Sequence, residues 1–174
     1  MLYAIVAVLA LLLDQAVKYY VTLQIDLNTG VQPLIPKVVS LMNIHNTGAA
    51  FSMLAGKQEF LIGVTAVAML VMLCILLRRK APNAFAHWGL AMVVGGGIGN
   101  LIDRVLNGYV VDYFDVVFMK FAIFNVADCF VVVGCVCLFI GVLFSEAFDA
   151  RRTRRAAVQA PEATANTEEE NDAE

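Results

Sequence analysis

Charge is what this sequence lacks. Only 16% of its 174 residues are Asp, Glu, Lys or Arg, against about 25% in soluble domains, while 60% are hydrophobic and mean hydropathy is +0.76. The charges are also unevenly spread. Of 15 acids, eight lie from Glu146 to Glu174 with four arginines, leaving seven acids and eight bases in the 145 residues before them. So few charges cannot coat a water-facing globule. A soluble enzyme, a disordered regulator and a nucleic-acid partner are excluded, and the body reads as a membrane protein.

Clustered metal-binding residues are missing too. Cys74, Cys129, Cys135 and Cys137 sit in apolar runs without a CxxC, and His45 and His87 belong to no HExxH. This leaves no disulfide framework or zinc site to read, and no cofactor or metal is expected. The cysteines are expected as small, buried apolar side chains. Gly95, Gly96, Gly97 and Gly99 are followed by Asn100, which breaks GxGxxG, and no GK[ST] follows them to complete a P-loop. Gly95 and Gly99 do fit GxxxG, which lets helices approach closely in lipid.

What is present is apolar length. About 20 apolar residues cross the hydrocarbon core as a helix. Four runs suffice or nearly so: Leu2 to Leu23, Phe60 to Leu77, Ala84 to Leu106 and Ala127 to Phe148. The first is expected to be an uncleaved helix rather than a signal peptide, because no basic stretch precedes it and Asp14 and Lys18 interrupt it. Arg78, Arg79 and Lys80 follow the second run, and Arg151, Arg152, Arg154 and Arg155 follow the fourth. The positive-inside rule puts both clusters, and both termini, in the cytoplasm. Segments 24–59 and 107–126 then lie outside. The expected fold is an all-α integral membrane protein of four transmembrane helices. Between helices 1 and 2 a small β-containing segment is expected, because Val38 to Ile44 suggests short strands. Residues 1–148 would be the membrane domain and 149–174 a basic juxtamembrane stretch with a disordered acidic tail.

Against this apolar background the polar residues stand out, since a charge inside a membrane helix costs a few kcal/mol on insertion scales. Asp14 and Lys18, four apart, can pair on one helix face or face a polar interior. Asn100, Asp103 and Arg104 share a face of helix 3. Asp128 opens helix 4, where it can serve as a cap or as part of a site. Asp103, Asp112, Asp115, Asp128, Asn100, Asn125 and Arg104 all gather at the outer boundary, with Asp14 turned toward them. No Ser/Lys or Ser/His pair offers a nucleophile. Two carboxylates sharing a proton, one activating a water, are the chemistry that remains. A proton-coupled transporter is the other class that intramembrane acids suggest. It would place them nearer the midplane and often carry an internal repeat.

Five ordered blocks resemble the signal peptidase II family of bacterial inner membranes. They are Asp14-Gln15-Ala16-Val17-Lys18, then Asn46-Thr47-Gly48-Ala49-Ala50-Phe51-Ser52, then Gly95 through Arg104, then Val110-Val111-Asp112-Tyr113, and finally Phe124-Asn125-Val126-Ala127-Asp128. The resemblance implies cleavage of prolipoproteins before a diacylglyceryl-modified cysteine. It implies Asp112 and Asp128 as the catalytic dyad, with Asp14, Lys18, Asn46, Gly48, Asn100, Asp103, Arg104 and Asn125 supporting dyad and substrate. It further implies membrane lipids and globomycin-type peptide inhibitors as partners, and no metal. Arg104 and Asn46 are donors suited to the substrate backbone or the oxyanion. Asp115 competes with Asp112 on residue type alone, and the family block favours Asp112.

Overall fold

In a bilayer each backbone N–H and C=O must find its partner within the protein, which makes helix the form a lone apolar segment adopts. The computed structural model describes residues 2–48 and 53–146, and in it the chain forms four such helices: α1 (Leu2–Gln24), α2 (Gln58–Leu77), α3 (Ala84–Asn107) and α4 (Val126–Glu146). Each is long and apolar enough to cross a membrane. The four expected spans are found, each shifted by no more than two residues where their ends are described. The expected disordered tail, and the last two residues of the fourth run, lie outside the described residues.

The polar ends are set locally. Asn83 caps α3 by accepting a hydrogen bond from Ala86 N–H at 2.9 Å. Gly108 ends it in the left-handed region at φ 79°, and its N–H donates to the Arg104 carbonyl. That reversal sends the chain directly into a strand.

α3 is the central helix. In its most apolar window 61% of residues are buried, against 22%, 11% and 17% for α1, α2 and α4. Its glycines explain how. A Cβ on Gly95 would strike the Ala7 carbonyl of α1, and one on Gly96 the Ala127 carbonyl of α4. One on Gly97 would strike the Met69 sulfur of α2, and one on Gly99 the Asp14 carboxylate. The expected close packing is present, divided among three neighbours. Gly89 and Gly134 bring α3 and α4 equally close further along, where a Cβ on Gly89 would lie 2.5 Å from the Gly134 carbonyl.

The small sheet is larger than expected. β1 (Val31–Ile35) and β2 (Val39–Asn46) form the anticipated antiparallel pair, and β3 (Val110–Val116) adds a third strand in the order β1-β2-β3. Its register sets Asn46 opposite Val110, Ile44 opposite Asp112 and Ser40 opposite Asp115, with an irregularity between Leu41 and Ile44. Buried Leu41, Val111 and Tyr113 pack the sheet on Val21 and Ile25 at the end of α1. β1 is exposed along its length.

The cysteines depart from expectation. Cys74, Cys129 and Cys135 are exposed and Cys137 is half-buried. The three exposed cysteines lie on helix faces turned away from the protein interior, where lipid accommodates a small apolar side chain as well as a core does, while Cys137 packs toward Gly89 of α3.

Candidate active site

Where the C-terminal halves of α1 and α3 meet β3 and the start of α4, the polar residues join into one network. Lys18 Nζ lies 2.8 Å from Asp14 Oδ2 and 2.9 Å from Asp103 Oδ2, and donates to Asn100 Oδ1 at 2.9 Å. Lys18 thus pairs with its i−4 neighbour and, in addition, with an acid of α3. Asp14 is wholly buried and Lys18 is 4% exposed, so this is an interior ion cluster. Asp103 also accepts from Val111 N–H at 3.2 Å, which ties the end of α3 to β3.

Asn125 links the next pair. Its Nδ2 donates to Asp112 Oδ1 at 2.7 Å, while its Oδ1 accepts from Asp128 N–H at 2.9 Å. Asp128 Oδ2 in turn accepts from the Asn125 backbone N–H at 3.1 Å. This is a capping box in which Asn125 is the N-cap and Asp128 the third helical residue. Asp128 therefore both caps α4 and belongs to the site. The other oxygen of each carboxylate is also held. Asn46 Nδ2 donates to Asp112 Oδ2, and Asn100 Nδ2 to Asp128 Oδ1, both at 2.8 Å.

Two further residues close the ring. Gly48 N–H donates to Asn46 Oδ1 at 2.8 Å, fixing the amide that faces Asp112. Arg104 Nη2 donates to the Gly48 carbonyl at 3.0 Å, and its buried Nε has no partner among the described residues. All ten residues singled out from the sequence are in this network. Asp115 is not. Three places along a strand from Asp112, it points to the opposite face, opposite Ser40.

Burial pushes the Asp112 carboxyl up to about 6, and the negative charge of Asp128 adds to this, against the hydrogen bonds from Asn46 and Asn125. Two carboxylates are thus coupled at one place, with one disposed to keep a proton.

Two contributors escaped the sequence reading. Gln15 Nε2 lies within hydrogen-bond distance of Asp14 Oδ2, the Gly99 carbonyl and Asp103 Oδ1, at 3.2, 3.3 and 3.0 Å. The Tyr113 hydroxyl accepts from Val126 N–H at 3.0 Å. Both stand inside quoted blocks, but nothing local assigns them a partner.

Comparison with known proteins agrees with this architecture. The profile of the family described as signal peptidase (SPase) II matches residues 6–144. The lipoprotein signal peptidase of Streptococcus pneumoniae is 43% identical over 146 residues, covering 82% of this chain and 95% of that protein. That of Enterococcus faecalis is 40% identical over 144 residues, covering 83% and 89%. A solved bacterial membrane enzyme superposes with a TM-score of 0.76 at 29% identity, covering 83% of this chain and 88% of the other.

Proposed function

Because the chain belongs to the signal peptidase II family, we propose that it is a membrane aspartic endopeptidase whose working pair is Asp112 and Asp128. It removes signal peptides from prolipoproteins. The bond cut is the one before the diacylglyceryl-modified cysteine. One observation carries the aspartic assignment: Asn125 bonds both Asp112, from a strand, and Asp128, from a helix.

The chemistry follows from the environment of each acid. Asp112, the more deeply buried and pushed up, holds the shared proton. Asp128 takes a proton from water as the water oxygen attacks the scissile carbonyl. Asp112 gives its proton to the carbonyl oxygen. On collapse of the tetrahedral intermediate Asp128 passes its proton to the departing amide nitrogen and Asp112 takes one back from the diol hydroxyl, leaving a carboxyl on the signal peptide and a free amine on the lipidated cysteine. Arg104, with an unpartnered Nε, and Asn46 face the same place as donors to the substrate backbone. Asp14, Lys18, Asn100, Asp103 and Gly48 hold these groups in position.

The setting is the bacterial inner membrane, with both termini cytoplasmic and the site at the extracytoplasmic face, as the Arg/Lys clusters after α2 and after residue 150 support. Residues 1–148 form the catalytic body and 149–174 a cytoplasmic appendage. A lipid-anchored substrate reaches the site laterally from the bilayer, and globomycin-type cyclic peptides compete there.

The test is incubation of purified protein with a diacylglyceryl prolipoprotein. Mass spectrometry should show loss of the signal peptide with the parent and none with Asp112→Asn or Asp128→Asn at matched folding. Cleavage by either variant at more than a few per cent of the parental rate would overturn the dyad.

A further inference from the structure

The first turn of α4 is held by three separate parts of the chain. Val126 N–H donates to the Tyr113 hydroxyl, Ala127 N–H to Asp14 Oδ1 at 3.0 Å and Asp128 N–H to Asn125 Oδ1. These are the N–H groups that a helix start leaves without partners of its own. Asp14 and Asn125 already belong to the polar network. Tyr113 does not.

Tyr113 follows Asp112 on β3, so its side chain leaves the opposite face of the strand. It is fully buried, packed with Val21, Ile25, Leu41 and Val111, and its ring lies 4.7 Å from that of Phe114. Phenylalanine would fill that apolar volume as well, and a phenol oxygen buried there is costly unless bonded. The bond it makes is to the helix bearing Asp128. The main chain repeats the link, since Tyr113 N–H donates to the Phe124 carbonyl at 3.1 Å. Tyr113, beside Asp112, therefore ties the strand to Val126, two residues before Asp128, and to the chain just ahead of α4.

We infer that Tyr113 is a positioning residue for the carboxylate pair: its hydroxyl, by holding Val126 N–H, fixes the first turn of α4 against β3 and so sets the separation of Asp128 from Asp112. This rests on the dyad reading above. Without the hydroxyl, Val126 N–H is left unpaired in a half-buried place and the turn shifts toward another acceptor. A wider gap weakens the repulsion that keeps one proton on the pair. The contribution of the Asp128 charge to the raised Asp112 carboxyl then shrinks.

The experiment is Tyr113→Phe in the full chain, assayed with a diacylglyceryl prolipoprotein across pH, beside Asp112→Asn and Asp128→Asn. Expected is a fall in kcat of about 10- to 100-fold, as for small misplacements of reacting groups. KM should stay within about twofold, and the limb of the kcat profile set by Asp112 should move to lower pH. Wild-type kcat and limbs in Tyr113→Phe, with both Asn variants inactive, would overturn the inference and leave the dyad standing. A lower kcat with unmoved limbs and a lower melting temperature would also overturn it, since that is loss of folded protein. Cleavage by the Asn variants would remove the dyad and the inference together.

Discussion

Replacing Lys18 with methionine should destabilise the protein by about 3–5 kcal/mol. Methionine keeps much of the apolar stem and removes the ammonium. That group lies 2.8 Å from Asp14 and 2.9 Å from Asp103, both essentially buried. At an effective dielectric of about 20, each contact at such a distance is worth roughly 6 kcal/mol of gross attraction. The cost of burying the three charges offsets most of this, so the intact cluster contributes little net stability. Deleting the cation alone is a different matter, because it strands two acids. The loss should fall toward the lower end of the range, since Asp14 keeps Ala127 N–H and Asp103 keeps Val111 N–H. The assay is reversible unfolding in mixed micelles, followed through the single tryptophan, Trp88, on α3. Adding Asp14→Asn and Asp103→Asn to Lys18→Met should recover at least half of the loss, because no buried charge then remains unpaired. A single variant within about 1 kcal/mol of the parent, or a triple variant no better than the single, would refute the account.

Three other outcomes are expected. Asp115→Asn should retain most turnover in the prolipoprotein assay, because its side chain faces away from the network; an inactive, folded variant would place Asp115 in the site. Asp112→Asn should make the fold more stable at pH 7 by roughly 1–3 kcal/mol, since the rise from 3.8 to about 6 opposes folding with the carboxylate ionised. The sign is that of a raised acid: the unfolded chain releases this proton near 3.8 and the folded chain near 6, so the parent loses stability as pH rises between them. The advantage of Asp112→Asn should therefore vanish below about pH 4, and an advantage that grows on acidification would contradict it. Reporter fusions at Lys80 should read cytoplasmic and at Lys57 and Asn107 external; an external Lys80 would invert the placement of the site.

The helices were legible because a bilayer leaves an apolar run of this length one structure. The Asp14–Lys18 pair was legible because i,i+4 spacing is local. β3 was not. Val-Val-Asp-Tyr-Phe-Asp-Val alternates imperfectly, and its partner β2 lies some 70 residues earlier, beyond what a sequence window sees. Asp112 and Asp115 could be separated on residue pattern only once strand or helix was known, and the strand put them on opposite faces. Gln15 and Tyr113 look like an ordinary polar and an ordinary aromatic residue. Their roles come from acceptors and donors on other elements, 88 and 13 residues away. The exposed cysteines misled because a small apolar side chain on a membrane helix can face lipid instead of protein.

The Lys18–Asp14 bridge also bears on how the chain is made. Lys18 ends up bonded to Asn100, 82 residues later, and Asp14 to Ala127, 113 residues later. At a synthesis rate of about 5–20 residues per second, α1 waits several seconds to tens of seconds before its lasting partners emerge. During that interval its two charges have no charged partner on the helix but each other. Four residues apart, they can neutralise one another while the helix is alone in lipid, then open to admit Asp103 when α3 arrives. The bridge is the travelling form of the site: it lets a charged helix enter the bilayer early and keeps both groups ready for the neighbours that complete them.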